Sequence, residues 1–109
     1  MENNKLIFEA IALRKCFEAT YNKMNVLLAP HILYTRHDEL YVDAVTVERD
    51  GQKPREYKIG AFKVTGLKEL APADRIFAPE PFFDPRDARY NGTTLFAVEL
   101  DQAPVPRVS

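Results

Sequence analysis

The chain has no tryptophan, one cysteine and four glycines among its 109 residues. With Cys16 alone, no internal disulfide and no paired-cysteine zinc pattern can form, and a reducing compartment, the cytoplasm, is the natural setting. Neither sign of charge is in excess: 15 basic residues meet 16 acidic ones, for a formal net charge of −1. No global positive field therefore draws the chain to nucleic acid or an anionic membrane, and any anion must be met by a local cluster. Long apolar runs are missing too. The stretch over 6–13 is broken by Glu9 and lacks a basic leader and a small-residue cleavage site, so it does not read as a signal peptide. Nothing approaches the roughly 20 apolar residues of a spanning helix, so no membrane association is expected. A Gly-rich phosphate loop and a nucleophile elbow are also lacking. These absences argue against an enzyme and imply no cofactor and no metal.

What is present suffices for one domain: 46% of the residues are hydrophobic, enough for one core and too few for two ordinary domains. Asn3 or Asn4 is predicted to cap a helix of about three turns, with Leu6, Ile7, Ala10 and Ile11 recurring at helical spacing. From Lys15 the period changes to two, because Phe17, Ala19 and Tyr21 alternate with Glu18 and Thr20. A second strand is expected over 26–34, where Pro30 demands an edge, a bulge or a bend. A third, over 40–47, runs towards the Asp50-Gly51 hairpin. A fourth is expected over 55–62, with Gly60 marking a sharp bend or a close approach, and 63–67 reads as a short fifth. Beyond Leu70, Pro72, Pro79, Pro81 and Pro85 leave no room for a long regular element. That stretch is expected to lie over the sheet as an arm burying Ile76, Phe77, Phe82 and Phe83. Asp84-Pro85 reads as the start of one or two helical turns through Ala88, Asn91-Gly92 as a turn, 93–100 as a last strand, and 102–109 as a loose tail.

One helix followed by a meander of short strands is the order of the Sm-like small barrels. The stretches Ile11-Ala12-Leu13-Arg14-Lys15 leading to Tyr21, the Pro30-centred second strand, Leu40-Tyr41-Val42, Arg55-Glu56-Tyr57-Lys58-Ile59 and the Phe- and Pro-rich segment over 77–85 together resemble the WYL domains of bacterial transcription regulators. Leu40-Tyr41-Val42 stands where that family carries its Trp-Tyr-Leu triplet, and Ala61 stands where it carries a second arginine. The resemblance implies a mainly β fold: an Sm-like, Src-homology-3-type small β-barrel of about five strands with an N-terminal helix and a C-terminal Pro-rich extension. On this reading residues 1–86 are the barrel domain and 87–109 an extension with one short strand. It also implies a ligand-sensing regulatory module that binds a nucleotide, single-stranded nucleic acid or another small anion. The family's usual winged-helix DNA-binding domain has no counterpart in the sequence, so a separate DNA-binding regulator would be the partner.

The candidate ligand residues are Arg14, His31, Tyr41, Arg55 and Lys58. Lys53, Arg55, Lys58, Lys63 and Lys68 face one acid, Glu56, between positions 53 and 68. Arg55 offers a bidentate fork to a phosphate and Lys58 a point charge, Tyr41 a stacking face, and Arg14 and His31 rim donors. Each has a plainer reading. Lysines decorate edge strands to block pairing, tyrosines pack at rims, and a histidine after a proline is commonly structural. His31 and His37 lie roughly 20 Å apart along an extended strand, too far to share a metal ion. Cys16 reads as a packing thiol. A second class of function stays open: an interaction module whose strand edge and Phe-rich arm join a partner or a second copy as a homodimer.

Overall fold

The structure, a computed structural model, describes residues 2–100; the tail expected over 102–109 lies outside them. Helix α1 (Glu2–Leu13) has the three turns the spacing predicts and buries Ile7, Ala10 and Ile11. Six strands follow: β1 (Lys15–Tyr21), β2 (Met24–Arg36), β3 (Glu39–Arg49), β4 (Ile59–Lys63), β5 (Lys68–Ile76) and β6 (Thr94–Ala97). All pair antiparallel in one sheet of order β4-β3-β2-β1-β5, with β6 also on β2. The fold is thus a small, mainly β domain with an N-terminal helix. The sheet has six strands, the expected last strand of the C-terminal extension among them, and its path is open, with no pairing between β4 and β5 among the described residues.

Three tight turns make the meander. Asn22-Lys23, His37-Asp38 and Asp50-Gly51 all take positive φ, at 50° and 66°, 52° and 64°, and 50° and 81°. Two consecutive positive-φ residues are the mark of the primed hairpin turns whose twist matches that of the strands they join. Only one of the six is glycine. Asn22, His37, Asp38 and Asp50 are of the types enriched in this region, while Lys23 bears its cost.

Strand β2 carries the sheet. Its first half pairs with β1 from Met24 to Leu28, its second half pairs with β6 from Ile32 to Tyr34, and β3 runs along its other side. Pro30 falls in the gap between the β1 and β6 pairings, at the start of a bulge against β3 in which His31 is the extra residue. A proline is tolerated inside this central strand because the neighbours change there.

Helix α1 lies across one face, over a core that includes Phe17, Leu28, Ile32, Leu33, Val42 and Leu67. Alternation places Cys16, Ala29, Val45 and Val47 on the other face, where Ile59, Ala73 and Phe77 pack against them.

Several expectations need correction. The fourth strand starts at Ile59 and not at Arg55: Arg49 pairs with Gln52 to close the hairpin, Pro54 lacks an N–H, and the chain flares off the sheet until Ile59 meets Val45. Gly60 does not bend the ladder, which runs unbroken from Tyr41–Lys63 to Val45–Ile59. The expected fifth strand over 63–67 is mostly a 3₁₀ turn (Val64–Gly66) that rounds the corner. Pro72 does not bar regular structure, because β5 is an edge strand whose outer side needs no partner. Of the four apolar arm residues, Phe83 is buried and Phe77 partly so, but Ile76 and Phe82 are 69% and 54% exposed. The helical turn after Asp84 comes later, at Ala88–Tyr90, capped by Asp87 accepting from the Arg89 N–H at 3.0 Å. The last strand is shorter than 93–100, and it joins the same sheet through β2.

The phase of α1 is testable at neighbouring positions. Ile11→Ala removes a fully buried side chain and should lower the unfolding free energy by about 2–5 kcal/mol. Leu13→Ala, at 61% exposure, should change it by no more than about 0.5 kcal/mol. Urea unfolding of the two variants measures both.

Candidate functional site

The flare after the third hairpin builds a cationic hollow. About 350 Å³ in volume, it is lined by Arg49, Arg55, Lys58 and Glu56 together with Thr46, Pro54, Ile59, Gly60 and Phe62. Strand alternation alone would split Arg55 and Lys58 between two faces. They share one hollow because residues 53–58 are not a strand. Arg49, at the end of β3, adds a third cation that the sequence reading did not single out; its place just before the Asp50-Gly51 turn was the available signal. The nearby acid, Glu56, is a weak competitor: its carboxylate lies 4.0 Å from Lys58 Nζ with both side chains mostly in water. Lys63 is not part of this cluster. Its ammonium is 2.9 Å from Glu39, whose hydrogen bond and charge hold its pKa above the ordinary value.

The other candidate residues do not converge on this hollow. Tyr41 lies eight residues from Arg49 along β3, roughly 26 Å at the rise of a strand. There its ring stacks on Tyr34 at 6.0 Å and carries the Arg36 guanidinium 5.5 Å from its centroid. Arg14 ends α1 in the left-handed region at φ 56°, and its carbonyl accepts the Phe77 N–H at 2.9 Å. His31, expected at a rim, has no exposed surface. Nδ1 is 2.9 Å from the Ala29 carbonyl, Nε2 accepts the Glu80 N–H at 3.1 Å, and burial lowers its pKa against the opposing pull of the Ala29 bond and the Asp43 charge. The bulge at Pro30 turned this side chain under the chain that follows β5, so it donates nothing to a ligand in this state.

The buried polar centre of the domain is one the sequence reading missed. Asp43, wholly buried in β3, accepts the Tyr34 hydroxyl on Oδ1 and the Tyr90 hydroxyl on Oδ2, each at 2.6 Å. Arg89 Nη1 stands 3.9 Å from Oδ2. A carboxylate in the middle of the apolar run Leu40-Tyr41-Val42-Asp43-Ala44-Val45 was the signal, since such a group is buried only when its oxygens are bonded. Burial, and then the bond to Asp43, pushes both tyrosine pKa values well above the ordinary one. Both hydroxyl protons are committed to the carboxylate, so the trio fastens the C-terminal segment to the sheet and offers no acid to a substrate.

Cys16 is buried, and burial raises its thiol pKa, with Arg75 lowering it and Glu48 raising it to lesser extents. Among the described residues no three histidine, cysteine or carboxylate side chains gather where a metal ion could sit, and no helix is long and apolar enough to cross a membrane. His37 lies in a hairpin turn, away from His31.

No protein-family model matches the chain, and no curated protein or solved structure is significantly similar to it.

Removing one hydroxyl of the trio should leave a buried carboxylate oxygen without its proton donor. Tyr90→Phe is expected to cost about 1.5–3 kcal/mol in urea unfolding. The raised tyrosine pKa values also fix a sign. Their stabilisation is complete below the unfolded value of about 10 and is lost as pH rises from there through the higher folded values. Ring carbon shifts in an alkaline NMR titration should show Tyr34 and Tyr90 ionising only as the protein unfolds.

Proposed function

We propose that this domain is a ligand-sensing regulatory module of the WYL kind, a small Sm-like barrel variant that takes a small anionic ligand on the Arg49, Arg55 and Lys58 surface. A nucleotide or a short single strand of nucleic acid is the ligand class that this reading favours. The observation that carries it is the meeting of three cations in one hollow beside a single weakly held carboxylate, in a protein whose overall charge is close to zero. In such a protein, attraction for phosphate must come from a local cluster. Arg49 and Arg55 bring planar forks that match phosphate oxygens, and Lys58 adds a mobile charge. The reading is a binding one, not a catalytic one: the single thiol is buried with a raised pKa, and the buried tyrosines are spent on Asp43. Its setting would be the cytoplasm, beside a separate DNA-binding regulator whose state the ligand controls.

A second reading rests on a different observation. Strand β5 is a sheet edge that ends in the exposed Ile76, and Phe82 beyond it is half in water. An apolar side chain at a strand edge favours a protein partner or a second copy.

Salt separates the two. Titration of short single-stranded DNA, RNA and common nucleotides should show binding that weakens steeply as salt rises. For a single strand, Arg55→Ala with Lys58→Ala should reduce the slope of log affinity against log salt by about 1.4. Absence of binding to every probe at low salt would sink the anion reading, and a salt-insensitive dimer in sedimentation would favour the edge.

A further inference from the structure

Residues 77–83 run beside the Cys16, Ala29, Val45 and Val47 cluster, on which Phe77 packs, and are tied down at two backbone points. The Phe77 N–H donates to the Arg14 carbonyl at 2.9 Å, and the Glu80 N–H donates to His31 Nε2 at 3.1 Å. The rings of Phe77 and Phe83 each stand 5.1 Å from the imidazole. The chemistry of the imidazole here is one-sided. The Ala29 carbonyl beside Nδ1 can only accept and the Glu80 N–H beside Nε2 can only donate, so the single arrangement that makes both bonds is a neutral ring with its proton on Nδ1. Residues 77–81 share the lining of a hollow of about 300 Å³ with Cys16, Val45, Val47 and Tyr57.

We propose that residues 77–83 are an acid-released strap: a proton on His31 Nε2 removes the acceptor of the Glu80 N–H, and the strap lifts to open the face that carries Cys16, Val45 and Val47. The proton comes from solvent, and no covalent bond changes. The groups around His31 set the balance. From β3, Asp43 favours the imidazolium, but its charge is shared with the hydroxyls of Tyr34 and Tyr90 and with Arg89 3.9 Å away. From β2 comes only the Ala29 carbonyl, which bonds the ring in either state. The strap presents two uncharged rings and the Glu80 N–H, which points its hydrogen at the site the new proton would take. Burial outweighs the favourable groups and holds the pKa of the closed ring below that of an open one. The closed state is therefore favoured at neutral pH and loses ground as pH falls through the solvated value of about 6.5.

Cys16 is the only thiol of the chain, is buried, and borders both the hollow at the strap and one between α1 and β5, so the part of its reactivity that follows His31 and pH reports the strap. The full chain is treated with dipyridyl disulfide at about pH 7.5 and about pH 5.5, and each rate is divided by that of glutathione in the same buffer, which removes the pH dependence of the reagent. The relative rate should rise several-fold on acidification, and by at most about tenfold, the change in protonation of an open imidazole over that interval. In His31→Gln, whose carboxamide offers an acceptor at every pH, the ratio should not change with pH. Glu80→Pro, which deletes the strap's N–H together with the Glu80 side chain and fixes φ there, should react faster than wild type at about pH 7.5. A flat wild-type ratio would overturn the strap, as would an equal rise in His31→Gln. So would loss of the far-ultraviolet sheet signal at the lower pH, which would mean that the whole domain opens and not the strap.

Discussion

Everything in this domain is arranged around the division of one strand's hydrogen bonds. Strand β2 has 13 residues, and its side away from β3 must be satisfied twice, first by β1 and then by β6. Backbone groups buried in a sheet cannot be left without partners, so the handover between β1 and β6 has to occur where the strand demands least. Pro30 provides that place, having no N–H to satisfy. The bulge that follows inserts His31 and resets the register against β3. From this one irregularity come the buried imidazole, its bond to Glu80, and the position of Asp43 opposite Ile32, where Tyr90 reaches it.

The two buried polar groups do the same work in different chemistry. Asp43 and His31 sit on adjacent strands and each takes a hydrogen bond from the chain beyond β5. The carboxylate accepts from two hydroxyls and keeps them over the whole neutral range, because its partners hold their protons more tightly when buried. The imidazole accepts from one N–H and does so only while neutral. The C-terminal segment is thus pinned at two points, by a hydroxyl-to-carboxylate bond at Tyr90 and by an amide-to-imidazole bond at Glu80.

The helix, the first three strands and their turns were legible in the sequence because there local preference and burial agree: helical spacing over Leu6, Ile7, Ala10 and Ile11, alternation from Phe17, and the Asp50-Gly51 pair at a tight turn. Legibility fell where tertiary pairing overrode composition. Pro72 looks like a breaker, yet an edge strand has a side that needs no donor. Arg55 to Lys58 looks like strand, yet the hairpin closes at Gln52 and throws that segment outward. For the candidate site, Arg55 and Lys58 do share a hollow. Arg14, His31 and Tyr41 are spread over other parts of the fold because each was tied to the cluster by a resemblance and by no local spacing. Asp43 went unread as a core anchor because its donors, Tyr34 and Tyr90, are 9 and 47 residues away along the chain.

The split pairing of β2 also sets an order of events during synthesis. Its first three hairpin-linked strands need only near neighbours and can associate as soon as Arg49 has left the ribosome. The second half of β2 waits for Thr94 to Ala97, more than 60 residues downstream of Ile32. Until those residues emerge, Ile32, Leu33 and Tyr34 form an apolar strand with one open side. Such a nascent chain is exposed to pairing with its neighbours on a polysome. A stop codon before position 94 would leave that side open permanently, so truncated products of this gene should be far more prone to aggregation than their loss of four strand residues suggests.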